Sequence, residues 1–177
     1  PLAVTFNVIP VAICAIVLGP TGGAVAGAVF GLTSYMQAMG IGGVSALGSA
    51  LFQISPVLTA IRCFVPRILD GICLGLIYRV VHKKANTYVS CAVTGFFSAF
   101  LNTLFFMSAL VMMFGNTELI QNLMGGRNII VGCCVMVGFN AISEMISSTI
   151  ITAAVGTALS KAHLIPAAQI AKPDTAA

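Results

Sequence analysis

Apolar residues fill this chain in long runs that polar residues interrupt at only a few places, and the interruptions mark out five segments: residues 8–18, 22–38, 57–81, 86–114 and 128–160. A helix needs about 20 predominantly apolar residues to cross a bilayer. The last three segments meet that length, and the fourth and fifth are long enough to tilt. The first two are shorter. They flank Gly19-Pro20-Thr21-Gly22-Gly23, where glycine and proline together end one helix and start the next, so the pattern predicts a helical hairpin. Residues 39–56, MGIGGVSALGSALFQISP, are too glycine-rich for a helix and too apolar for an aqueous loop, which predicts a lid folded over a pocket. Residues 115–127 carry Glu118, Gln121 and Asn122 and are expected to form an aqueous loop with a short amphipathic turn.

Composition turns this pattern into a class. The 177 residues are 59% hydrophobic and 7% charged, with mean hydropathy +1.07, outside the range of soluble domains. The expected fold is an all-α integral membrane protein, one transmembrane domain over residues 1–177. The net charge of +4 is small and its basic residues are not interleaved with aromatics, so no nucleic-acid surface is expected. Arg79, Lys83, Lys84, Lys161 and Lys172 fall on one side of the predicted spans and Arg127 alone on the other. That bias predicts a cytoplasmic C-terminus and puts the 39–56 stretch outside. The chain opens at Pro1 without a charged leader. Five spans then leave the N-terminus outside, so a sixth, preceding helix is expected, absent from this chain.

Several chemistries lose support. The six cysteines lie in apolar stretches without a CxxC pair or a Cys/His spacing, so they are expected to pack rather than bind metal. His82 and His163 lie at segment ends, where they suit neither a zinc site nor a serine-type hydrolase. No phosphate-binding glycine loop occurs, so the chain is not expected to hydrolyse ATP or to act as an enzyme.

The candidate chemistry is the set of polar groups inside the apolar segments, because a charge at bilayer depth costs a few kcal/mol and marks an internal site. Asp70 lies angularly between Arg62 and Arg67 on one helix, which predicts an ion-pair cluster. Arg67 follows Pro66, which leaves the Arg62 carbonyl without a helical donor, and it is the expected ligand anchor. Thr94, Ser98 and Asn102 recur at spacing four; the first two suit helix packing and Asn102, about 16 residues along its helix, suits a ligand. Asn140 and Glu144 lie on one face of the last segment, roughly 18 and 24 Å from its start. Asp70 and Glu144 are equally suited to pairing with arginine and to contacting a ligand. Gly23, Gly27 and Gly31, with Ala24 and Ala28 beside them, permit close approach of another helix, within the bundle or from a partner subunit.

The strings IPVAICAIVLGPTGGAVAGAVFGLTSY (9–35), LFQISP (51–56), CFVPRILDGICLGLIYR (63–79) and NAISEMISSTI (140–150) resemble the substrate-binding S component of energy-coupling factor (ECF) vitamin transporters. The resemblance covers most of the chain, and its most specific parts are LGPTGGAVAG and FVPRIL in that order. It implies a six-helix bundle in the membrane of a bacterial cell. It also implies an outward-facing vitamin pocket on the last three helices and the outer loops, and association with a transmembrane coupling subunit and two ATPases. Arg67, Asn102 and Asn140 fall on those helices, and Glu144, Tyr35, Phe52 and Gln53 complete the expected site. No cofactor or metal is implied. The first helix, where the family carries a small-residue AxxxA docking motif, has no counterpart here, so Gly23, Ala24, Gly27, Ala28 and Gly31 are the expected docking face.

Among vitamin branches the resemblance is greatest to the pantothenate group. The alternatives are an S component for pyridoxine or hydroxymethylpyrimidine, folate or riboflavin, and a stand-alone secondary carrier. The chain has no Trp and only Tyr35, Tyr78 and Tyr88, a poor supply of stacking surfaces for folate or riboflavin.

Overall fold

The computed structural model describes residues 8–42, 46–124 and 129–165, with side chains at all of these except 46, 119, 123, 124, 129–137, 139 and 140. The described residues are all helical in their regular structure: α1 (Val8–Ala38), α2 (Ala46–Ile54), α3 (Pro56–His82), α4 (Thr87–Phe114), α5 (Glu118–Met124) and α6 (Ile129–Lys161).

The predicted hairpin is present within α1. Gly19 has φ 75° and ψ −162°, a left-handed backbone that L side chains resist, and Pro20 starts the next helix. A β-carbon on Gly22 would lie 3.0 Å from the Cys14 carbonyl oxygen, although residues eight apart in a straight helix are separated by about 12 Å. Phe30 likewise packs against Val8 and Ile9. The chain therefore reverses at Gly19 into antiparallel arms, 8–18 and 20–38.

The arm 8–18 is the centre of the bundle. Val11, Ala12 and Ala15 meet Leu74 of α3 and Phe97 of α4. Ile16 meets Tyr78 and Cys91, and Val8 and Ile9 meet Ala99 and Met145. The arm 20–38 lies against α3 in antiparallel register, with Gly23 on Gly71, Gly27 on the Arg67 backbone and Gly31 on Cys63. Close approach of small residues is what packs helices in lipid, where there is no aqueous hydrophobic drive between them.

The pattern of burial is inverted relative to a soluble protein. Val25, Val29, Leu69, Leu76, Phe100 and Ile146 point outward, while Arg62, Arg67, Asp70, Thr94, Ser98 and Glu144 are buried. α4 and the Ala141–Lys161 part of α6 are long and apolar enough to cross a membrane, and α1 has that length only as its two arms taken together, which fold back on each other at Gly19. The 27 residues of α3 are long enough too, and their charges face inward except at Arg79.

Two expectations are corrected. The glycine-rich 39–56 stretch contains the nine-residue helix α2, because Leu51 is drawn into a cluster with Met107, Leu110, Phe114 and Ile120, and burial outweighs weak local propensity. The 115–127 loop contains α5, whose Ile120 belongs to the same cluster, so this segment is anchored rather than purely aqueous. Ser55 alone separates α2 from α3. Its hydroxyl accepts from the Leu58 amide at 3.4 Å, and Pro56 occupies the first turn, where a missing amide hydrogen costs nothing.

Candidate functional site

Three helices bring the polar groups together. α4 and α6 run antiparallel with Gly95 against Ser148 and Gly156 against Cys91, and the Ser98 and Ser148 hydroxyls are 2.7 Å apart. One further helical step along the same register brings Asn102 level with Glu144. Thr94 donates to the Ser90 carbonyl of its own helix at 2.8 Å, and Ser98 bridges α4 and α6. Ser98→Ala is expected to cost about 0.6 kcal/mol of stability, the average for a hydrogen bond between membrane helices; thermal unfolding in detergent reads it, and a loss of ligand affinity without loss of stability would contradict the packing role.

On α3, Arg62 and Arg67 share the ring of Phe106 on α4, their guanidinium carbons 4.4 and 5.6 Å from its centroid. Arg67 also lies 4.4 Å over Phe30 of the 20–38 arm, and its Nη1 donates to the Cys63 carbonyl at 3.4 Å. Stacking of guanidinium on aromatic faces holds each charge in a low-dielectric setting. The Nε of both arginines, Arg62 Nη1, Asp70 Oδ1 and Asn102 Oδ1 are buried without a hydrogen-bond partner. In most buried sites such groups are paired, and each one left unpaired costs about 1–3 kcal/mol. The expected ion-pair cluster is therefore not formed as such. Asp70 acts electrostatically on Arg67, but Arg67 hydrogen-bonds a carbonyl and Asp70 Oδ1 has no hydrogen-bond partner.

The remaining expected residues divide. Tyr35 is half-buried and meets Phe52 of α2 edge-on at 5.9 Å and Phe64 of α3 at 6.4 Å, joining the end of the hairpin to the lid. Gln53 is exposed. Glu144 is buried. Asn140 lies on α6, and its side chain is outside the described residues. Of the small residues expected to dock a partner, Gly23, Gly27 and Gly31 are engaged with α3, and Ala24 and Ala28 are half-buried beside them.

Sequence reasoning left Phe106, Phe30 and Arg62 off the expected site. A signal existed for Phe106, which follows Asn102 by four residues and so shares its helix face. Nothing local marks Phe30, whose contact with Arg67 depends on how the hairpin packs. A separate open groove of about 770 Å³ runs along the hairpin between Pro10, Cys14, Leu18, Thr21, Val25 and Val29. No charged side chain lines it, and it reaches the polar cluster through Phe30, so the cluster is the better candidate site.

Comparison with known proteins agrees with this architecture. Residues 1–156 match the family model described as ECF transporter, substrate-specific component. The chain is 32% identical over 154 residues to the pantothenate transporter PanT of Leuconostoc mesenteroides, covering 84% of this chain and 71% of that one. It is 29% identical over 171 residues to the pantothenic acid transporter PanT of Lactococcus lactis subsp. cremoris, covering 92% and 81% respectively. No solved structure gives a significant match. A helical membrane bundle with its charges turned inward, matched along most of its length by that model, is a transport subunit rather than an enzyme, and the chain belongs to the substrate-specific components of ECF transporters.

Proposed function

We propose that this chain captures pantothenate in the membrane and delivers it through an importer driven by a transmembrane coupling subunit and two ATPases. The observation that carries the reading is the buried cluster around Phe106, where guanidinium donors and the Asn102 acceptor have no protein partner. Pantothenate complements that cluster. Its carboxylate suits an arginine, its hydroxyls and amide suit asparagine side chains, and its gem-dimethyl group suits phenylalanine and methionine walls. The printed names of both relatives favour the same ligand.

In this reading Arg67, Asn102, Asn140 and Glu144 surround the ligand, while Tyr35, Phe52 and Gln53 lie at the lid. The lid end faces outward and the C-terminus is cytoplasmic, in keeping with the lysines and arginines at the opposite end. Ala24 and Ala28, on the hairpin flank, are the small residues left for contact with the coupling subunit.

Equilibrium binding to purified protein tests the ligand directly. Pantothenate is expected to bind with micromolar or better affinity, ahead of pyridoxine, hydroxymethylpyrimidine, folate and riboflavin. Failure of every vitamin in that panel removes the capture function, and a different winner replaces the substrate alone. Ion-driven uptake by the isolated chain in liposomes would overturn dependence on ATP-hydrolysing partners.

A further inference from the structure

Two buried arginines adjoin one ring, and their surroundings are unequal. Arg67 has a carbonyl acceptor on Cys63 for its Nη1 and the face of Phe30, and only its Nε is without a partner. Arg62 is 5% exposed, its Nε and Nη1 have no partner, and its ring contact among the described residues is Phe106. Its neighbour over the same ring is a second cation, Arg67. A buried cation is costly unless it is paired and hydrogen-bonded. An anion arriving at Arg62 would satisfy two idle donors and offset a repulsive neighbour. The same anion at Arg67 would have to compete with a carbonyl already in place.

We infer that the carboxylate of the bound ligand is held by Arg62, and that Arg67 is a positioning residue that braces Phe106 and Phe30 at the site wall. This rests on the pantothenate reading and deepens it, because it moves the charge-recognising role from the arginine that follows Pro66 to the one four residues before that proline. Phe106 becomes the shared platform. It presents its ring to both guanidinium groups and also packs against the cluster that contains Leu51 of the lid.

The test measures preference rather than affinity alone. Binding of pantothenate and of its alcohol analogue, in which a hydroxymethyl group replaces the carboxylate, is compared by calorimetry in wild type, Arg62→Gln and Arg67→Gln. Wild type is expected to prefer the acid by about 10- to 100-fold, the worth of a charge-assisted hydrogen bond at a buried site. Arg62→Gln is expected to bring the two ligands within about threefold of each other. Arg67→Gln is expected to weaken both alike and keep the preference.

An intact preference in Arg62→Gln, or a lost one in Arg67→Gln, overturns the assignment. Should Arg62→Gln fail to fold, Arg62→Lys serves in its place. Lysine keeps the charge but not the planar donors, so the preference is expected to fall by about tenfold, and a wild-type preference there overturns the assignment equally. If wild type binds neither compound, the pantothenate reading falls and this inference with it, a result distinct from binding in which Arg62 has no part.

Discussion

Gly71→Val is expected to abolish recovery of folded, monodisperse protein, the largest loss of stability among the substitutions considered. A β-carbon at Gly71 would overlap the carbonyl of Gly23, and one at Gly23 would overlap the carbonyl of Gly71. Each obstacle is backbone in the middle of a helix, which cannot rotate away as a side chain can. The same contact recurs in both directions along the two helices. A β-carbon on Gly31 would meet the Cys63 oxygen at 2.8 Å, one on Gly27 would meet the Arg67 carbonyl, and one on Gly75 would meet the backbone of Pro20.

Relieving the Gly71 clash therefore means separating the 20–38 arm from α3 along its length. Overpacking in a core usually costs about 1–3 kcal/mol, and a clash between backbones is expected at or above the top of that range. Size-exclusion profiles and thermal melts in detergent read the effect. Gly138→Ala is the matched control, because its β-carbon meets nothing within 4 Å and alanine favours a helix by up to about 1 kcal/mol. A stable Gly71→Val protein would mean that the hairpin and α3 are not in this contact. The same packing positions Arg67, since Gly27 lies directly on its backbone.

Leu51→Ala is expected to speed ligand release by about 30-fold or more while the bundle stays folded. Leu51 is the residue by which α2 is held down, fully buried against Met107, Leu110, Phe114 and Ile120. Truncating a buried leucine to alanine costs about 2–5 kcal/mol. The lower figure corresponds to roughly 30-fold when it falls on one rate constant. It is expected to fall on release, because α2 packs across the end of the bundle through Leu51 and through the Phe52–Tyr35 contact. Its removal frees the lid without disturbing the contact between the hairpin and α3. Stopped-flow dissociation measures the rate, and an unchanged rate in a stably folded variant would remove α2 from the ligand's exit.

The helical segments were legible from the chain alone because their signal is local. Long apolar runs leave few alternatives to helix in lipid, where every backbone group needs an internal partner. The reversal at Gly19-Pro20 is legible for a similar reason, since a left-handed glycine followed by proline is a turn signal within two residues. Helix α2 was not legible. Gly48 and Ser49 argue against a helix, and only contact with α4 and α5, distant in sequence, makes Leu51 worth burying. For the glycine stripe the spacing predicted close approach but was silent on the partner.

The candidate site shows the same division. That a charge buried in an apolar helix has a role is a consequence of solvation and needs no coordinates, so Arg62, Arg67, Asp70 and Glu144 stand out at once. How they divide the work is a matter of neighbours. The intervals along α3 predicted that Asp70 would join the arginines in one ion-pair cluster. Tertiary packing instead gave Arg67 a carbonyl and the Phe30 ring, and left Asp70 Oδ1, Arg67 Nε and the Nε and Nη1 of Arg62 without hydrogen-bond partners.

The sequence by itself determined that this protein is a membrane bundle with an internal polar site, because hydropathy, turn residues and the cost of buried charge act at or near single positions; its likeness to vitamin-capturing subunits rested on strings such as LGPTGGAVAG and FVPRIL. Only the tertiary structure decided which face each helix turns inward, that the glycines serve the hairpin's contact with α3, and which aromatic rings and carbonyls each arginine meets. Those outcomes depend on distances between residues far apart in the chain, and no local pattern encodes them.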